Sequence, residues 1–188
     1  MGLDMYAARR LYVKQWDHQS ADERYTVQIA QGGKPVPGIQ SDRISNIEEE
    51  LMYWRKANHI HAWFVDNVQD GMDDCKDHYL SEDNLRELLS VCEKVVKASN
   101  LVDGLVYDGT VYDKEHPDGL VRRIPGKVIE DSTVARNLLP TRSGFFFGSE
   151  EYDEDYLDEV ARTHEWAVRT LAEIADGTPG HIFYSSSW

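Results

Sequence analysis

Apolar and polar positions alternate at the start of the chain, where Leu3, Met5 and Ala7 in MGLDMYAARRLYV predict a half-buried β-strand. ERYTVQIAQ, residues 23–31, is rich in β-forming side chains and reads as a second strand. GGKPVPG, residues 32–38, carries two glycines and two prolines and reads as a loop. From Ser45 the period changes. Tyr53, Ala57, Ile60, Phe64 and Val68 recur every three to four residues, which predicts a long helix ended by Gly71. Ser45 and Glu48 fit a capping box at its start.

A second helix is expected after Ser81, with Leu85, Leu88, Leu89, Cys92 and Val96 on one face. A third, from about Glu154, would carry Leu157, Val160, His164, Val168, Leu171 and Ala175. Between them LVYDGTVY predicts a hairpin turning at Asp108-Gly109, inside a β-rich insertion at about 103–130. Ser132 is a cap for a short helix that runs to Leu138 and is stopped by Pro140. SGFFFGS, residues 143–149, reads as a central strand, and HIFYSSSW as a closing one. The sum is one α+β domain over 1–188: about three helices packed on a mostly antiparallel sheet.

Composition bounds the function. The 34 acidic and 20 basic residues give a formal charge of −14, which opposes general binding to nucleic acid or to an anionic membrane. No apolar run reaches the length of a membrane span, and MGLDMYAARR lacks the apolar run of a secretory signal. A cytoplasmic protein with both cysteines, Cys75 and Cys92, as free thiols is the expectation. Cys92 falls on the apolar face of its helix and reads as packing rather than as a nucleophile.

The chemistry concentrates in YWRKANHIHAWFVDN, residues 53–67. On the expected helix, Trp54, Asn58 and His61 lie four and seven residues apart, beside the buried stripe, with Arg55 adjacent. A cation, an amide, an imidazole and an indole on one edge suit an anionic, partly aromatic ligand. His61 could instead be a general acid or base. A half-buried helix edge with satisfied polar groups accounts for the same spacing. His59 and His61 point about 200° apart on a helix, so one metal ion cannot take both. DNVQDGMDDCKD, residues 66–77, has Gly at the sixth place of a calcium loop. It offers Val68 and Asp77 where an oxygen ligand and a Glu are wanted, and reads as a solvated acidic loop. In TRSGFFFGS, Thr141, Arg142 and Ser143 offer donors to an anion, and Tyr152 follows closely enough to line the same site. EEYDEDYLDE, residues 150–159, reads as an acidic helix start.

MGLDMY, YWRKANHIHAWF, LLPTRSGFFFGSEEYDEDY and SSSW resemble a family of small, mostly uncharacterised proteins of bacteriophages and bacteria. The resemblance covers the chain apart from roughly 103–130. It matches Trp54, Arg55, Lys56, Asn58, His61 and Trp63 in the first motif, and Pro140, Thr141, Ser143, Gly144, Gly148 and Tyr152 in the second; His59 falls outside the pattern. It implies a phage-type accessory protein of the bacterial cytoplasm with a ligand site at Trp54, Arg55, Lys56, Asn58, His61, Thr141, Ser143 and Tyr152. The expected role is sequestration of a small anionic ligand, a nucleotide-derived host defence signal, without cofactor, metal, membrane or nucleic-acid partner and with homo-oligomerisation left open. One alternative is a phosphodiesterase-like enzyme with His61 as acid or base. Another is an acidic inhibitor that mimics nucleic acid.

Overall fold

The computed structural model describes residues 2–112, 114–144 and 148–188. Its main sheet has four antiparallel strands in the order β4-β1-β8-β5, formed by β1 (Asp4–Tyr12), β4 (Asn46–Arg55), β5 (His78–Leu80) and β8 (His181–Ser187). The first and last strands are therefore the central pair. Their inward positions alternate as the pleat requires: Met5, Ala7 and Arg9 on β1 face across to Ser186, Tyr184 and Ile182 on β8. Helices α1 (Asn58–Asn67), α2 (Glu82–Ala98) and α4 (Glu154–Ala175) supply the rest of the core, with Ile60, Phe64, Leu85, Leu88, Cys92 and Val160 all buried. The α+β expectation holds, with helices on one antiparallel sheet.

Two short strands, β2 (Ala30–Gln31) and β3 (Lys34–Pro35), flank a Gly32-Gly33 turn, so most of 23–31 is not the strand its composition predicts. The span expected as a β-rich insertion forms a two-stranded hairpin of β6 (Leu101–Val111) and β7 (Leu120–Ile129). Its turn lies beyond Asp108-Gly109. That pair instead marks a register shift between Tyr107 and Thr110, with Gly109 at φ 104°. An Asp-Gly pair provides left-handed backbone for a bulge as readily as for a turn. The short helix α3 (Thr133–Leu138) forms as expected, but its first free N–H, on Thr133, donates to Asp131 rather than to Ser132.

The largest correction concerns residues 45–57. They form strand β4 and a turn, and the helix begins only at Asn58. Glu48 and Glu49 are strand residues opposite Arg10 and Arg9 of β1, each in an ion pair with its partner. Ser45 does not cap; its carbonyl accepts from Val13 N and extends the sheet ladder. The tertiary pairing of β1 thus overrides the helical propensity of the Glu run. In α4 the buried face is Tyr156, Val160, Thr163, Ala167 and Thr170; Val168 faces solvent. The expected strand over 143–149 centres on Phe145, Phe146 and Phe147, which lie outside the described residues, and the residues flanking them are not in a strand. Among the described residues no helix is long and apolar enough to cross a membrane.

Candidate functional site

The passage from β4 into α1 is abrupt. Lys56 N donates to Leu3 O at 2.8 Å, and Asn58 N donates back to Lys56 O at 2.9 Å. The turn forces Lys56 to φ 59°, left-handed backbone that a side-chain-bearing residue adopts at a cost and that gathers at functional sites. Ala57, at the N-cap of α1, supplies no side-chain acceptor, so the positive end of the helix is left uncapped there. Gly148 packs on this turn. A Cβ there would meet Lys56 Cβ at 2.8 Å and Lys56 O at 2.9 Å, and its φ of 91° independently favours glycine.

Asn58 joins the two sequence motifs. Its Nδ2 donates to Ser149 O and its Oδ1 accepts from Arg142 N, both at 2.8 Å, so one amide holds the chain on either side of the 143–148 segment. Arg142 also pairs with Asp66 of α1. Thr141 N donates to the Tyr152 hydroxyl at 3.1 Å, and Arg136 lies 4.4 Å over the Tyr152 ring.

Beside this junction is a cleft of about 710 Å³, within the usual range for small-molecule sites. Arg55, Lys56 and the Gly148-Ser149 backbone form one side, and Tyr107 of the hairpin contributes to the wall. The rest of the lining is mostly acidic: Asp155, Asp158 and Glu159 come from α4, with Glu151 and Asp153 ahead of it. Arg162 on that wall is tied to Glu159 at 2.8 Å, and Arg123 holds Glu151 at 2.8 Å. Among the described residues neither Arg55 nor Lys56 has a carboxylate within ion-pair distance. Asp153 caps α4 by accepting from Tyr156 N, and burial lifts its carboxyl above the usual range. Burial also raises Glu159, against the opposing pull of Arg162.

His59 is 4% exposed, packs its ring 4.2 Å from that of Tyr156, and lines both this cleft and a smaller one of about 240 Å³ beside Trp63 and Pro140. Burial lowers its pKa to about 3, so the ring is neutral at pH 7. Its Nε2 has no hydrogen-bond partner.

The eight expected site residues divide accordingly. Arg55 and Lys56 line the cleft. Asn58, Thr141 and Tyr152 bind protein groups that shape its edge. Ser143 is exposed and does not line it. Trp54 is a correction: it is a strand residue, fully buried, with its indole N–H donating to Thr163 Oγ1 at 2.8 Å and its ring edge-on to Phe64 and Trp166. It is not placed to stack on a ligand. His61 is the other. Its Nδ1 is 2.7 Å from the Tyr184 hydroxyl and its Nε2 is 3.1 Å from Asp73. A carboxylate only accepts, so Nε2 donates to Asp73, and on a neutral ring Nδ1 is left to accept from Tyr184. Burial, and then the Asp73 charge, push the Tyr184 hydroxyl well above its ordinary pKa, which keeps that donor protonated.

Sequence reasoning missed the acidic wall and His59. The run EEYDEDYLDE was visible, but as a helix start; the facing of Asp155, Asp158 and Glu159 toward Arg55 follows only from the packing of α4 against β4. Among the described residues no group of three or more His, Cys, Asp or Glu is placed to hold a metal ion. No family model, curated protein or solved structure matches this chain, so the cleft itself carries the functional argument.

Proposed function

We propose that the protein binds a small anionic ligand in the cleft at Arg55 and Lys56, and that the ligand is of the nucleotide class. The observation that carries this reading is local. In a chain of charge −14, two adjacent cations without ion-pair partners among the described residues flank a helix start that has no side-chain cap. Cationic side chains and the positive end of a helix together favour an anion. The finer reading, sequestration of a nucleotide-derived defence signal in a bacterial host, rests on the resemblance of the YWRKAN and SGFFFG segments to small phage proteins. Hydrolysis by His61 is disfavoured, because both of its ring nitrogens are engaged by Tyr184 and Asp73.

The test uses AMP, GMP and cyclic dinucleotides as probes in calorimetric titrations. Arg55→Ala removes a charge-assisted contact of roughly 1.5–3 kcal/mol, equivalent to about a tenfold to hundredfold loss of affinity. Arg55→Lys recovers little of it where the contact is a bidentate fork. An Arg55→Ala protein that binds every probe as the parent does overturns the reading. Nucleotides released by heat and recovered intact support sequestration; recovery of cleaved products assigns an enzyme instead.

A further inference from the structure

Buried polar atoms are nearly always hydrogen-bonded, and each exception needs a cause. Two of the exceptions in this structure belong to residues of the same cleft. Glu159 Oε1 accepts from Arg162 at 2.8 Å, while its Oε2 is buried and has no partner among the described residues; the side chain as a whole is 22% exposed, so a turn of the carboxylate brings a free acceptor into the cleft. His59 Nε2 is the second, on a ring packed against Tyr156. Asp155 and Asp158 line the same wall, so a second anionic group is repelled there.

We propose that Glu159 and His59 form the second end of the ligand site, one that receives an amino group, so that the bound molecule carries an anionic group and an amino group together. This rests on the anion-binding reading of Arg55 and Lys56. The carboxylate accepts hydrogen bonds, and Nε2 of a neutral imidazole accepts or donates according to its tautomer. An exocyclic amino group beside a ring nitrogen meets both requirements, as does an alkylamine at the far end of a phosphate ester. The spacing of the two ends is built into the fold. Thr163 Oγ1, one turn after Glu159, donates to Glu159 O and accepts from the indole of Trp54, the residue before Arg55. Arg162 adds a bond to Tyr53 O at 3.3 Å. The wall that carries Glu159 is thus fastened to the strand that carries Arg55, and the orientation of the ligand is fixed: anion toward Arg55, amine toward Glu159.

The experiment titrates the full chain with AMP, GMP, IMP, O-phosphoethanolamine and inorganic phosphate. IMP keeps the phosphate, the ribose and the purine ring but has no exocyclic amino group. The expected result is that AMP or GMP binds at least about tenfold more tightly than IMP, the scale of one hydrogen bond to a charged group. In Glu159→Gln and His59→Phe that preference shrinks toward one, while IMP affinity stays within about threefold of the parent. A phosphoethanolamine affinity above that of inorganic phosphate, lost in Glu159→Gln, supports the proposal with an alkylamine as the donor. Equal binding of AMP, GMP and IMP, with all three weakened by Arg55→Ala, overturns this proposal and leaves the anion site standing. Binding by none of the probes overturns both. Because Glu159 is partly exposed and Gln is nearly isosteric, circular dichroism of the Glu159→Gln protein separates loss of fold from loss of recognition.

Discussion

His59 and His61 sit two positions apart on α1, and the helix turns them to opposite surroundings. His61 is satisfied on both sides by Tyr184 and Asp73. His59 meets an aromatic ring and a cleft wall, and burial alone sets its charge state. This difference has a consequence in pH. Burial depresses the folded-state pKa of His59 from 6.5 to about 3. Below pH 6.5 the unfolded chain therefore takes up a proton that the folded chain refuses. His59 costs nothing above that pH, and its penalty grows as pH falls, levelling off below about 3. At about 1.4 kcal/mol per pH unit, the loss between pH 6.5 and pH 5 is about 2 kcal/mol. Carboxylates also titrate toward the lower end of this window, so the informative comparison is with His59→Phe. Urea unfolding at pH 7.5 and pH 5 should show the parent losing about 2 kcal/mol more than the variant. Equal losses would mean that His59 accepts a proton in the folded state.

At the scale of elements, the cleft depends on pieces of quite different legibility. The hairpin β6–β7 reaches it through Tyr107 and through the Arg123–Glu151 ion pair, yet many of its outward side chains, Leu105, Val121 and Ile124 among them, are exposed. Replacing residues 104–126 with a two-residue turn between the paired positions Asp103 and Lys127 should leave the four-stranded sheet and its cooperative unfolding in place. Nucleotide affinity should fall by about tenfold or more, because one wall of the cleft is lost. Titration and thermal unfolding of the same protein check both halves, and undiminished affinity would exclude the hairpin from the site. Helices α2 and α4 were readable from sequence because their apolar positions repeat at helical spacing. β1 was readable from its alternation, and HIFYSSSW as a closing strand. β4 was not. Its Glu residues favour a helix locally, and what makes them a strand is the row of Arg9 and Arg10 opposite, forty residues away in sequence. With β4 misread, Trp54 was placed on an edge when it belongs to the core. Arg55 and Lys56 line the cleft all the same, because they fall at the junction itself. His59 and Glu159 were hidden because an unpartnered atom is a property of packing and leaves no mark on composition.

Over the whole molecule, the charge of −14 allows two opposed uses of the surface: a local cationic site, or a broad acidic face that imitates nucleic acid. The arginines separate them. Among the described residues Arg9, Arg10, Arg123, Arg142 and Arg162 are each held by a carboxylate, whereas Arg55 and Lys56 are not; Arg24, Arg43, Arg136 and Arg169 also lack a carboxylate, but none of them lines the cleft. A general acidic decoy has no use for two such cations beside a helix start. Salt dependence distinguishes the cases quantitatively. The Debye length falls from roughly 14 Å at 50 mM to about 6 Å at 300 mM salt. For a nucleotide seated on Arg55, contact attraction lies inside both lengths, and long-range repulsion by the acidic surface is screened at the same time. The two changes oppose each other. Affinity for AMP or GMP should therefore change by no more than about threefold between 50 and 300 mM NaCl. An acidic face bound across many charges to a basic partner would lose affinity by orders of magnitude over the same range, as multi-phosphate contacts do. Calorimetric titration at three salt concentrations measures the slope. A steep fall, retained in Arg55→Ala, would move the functional surface from the cleft to the acidic exterior.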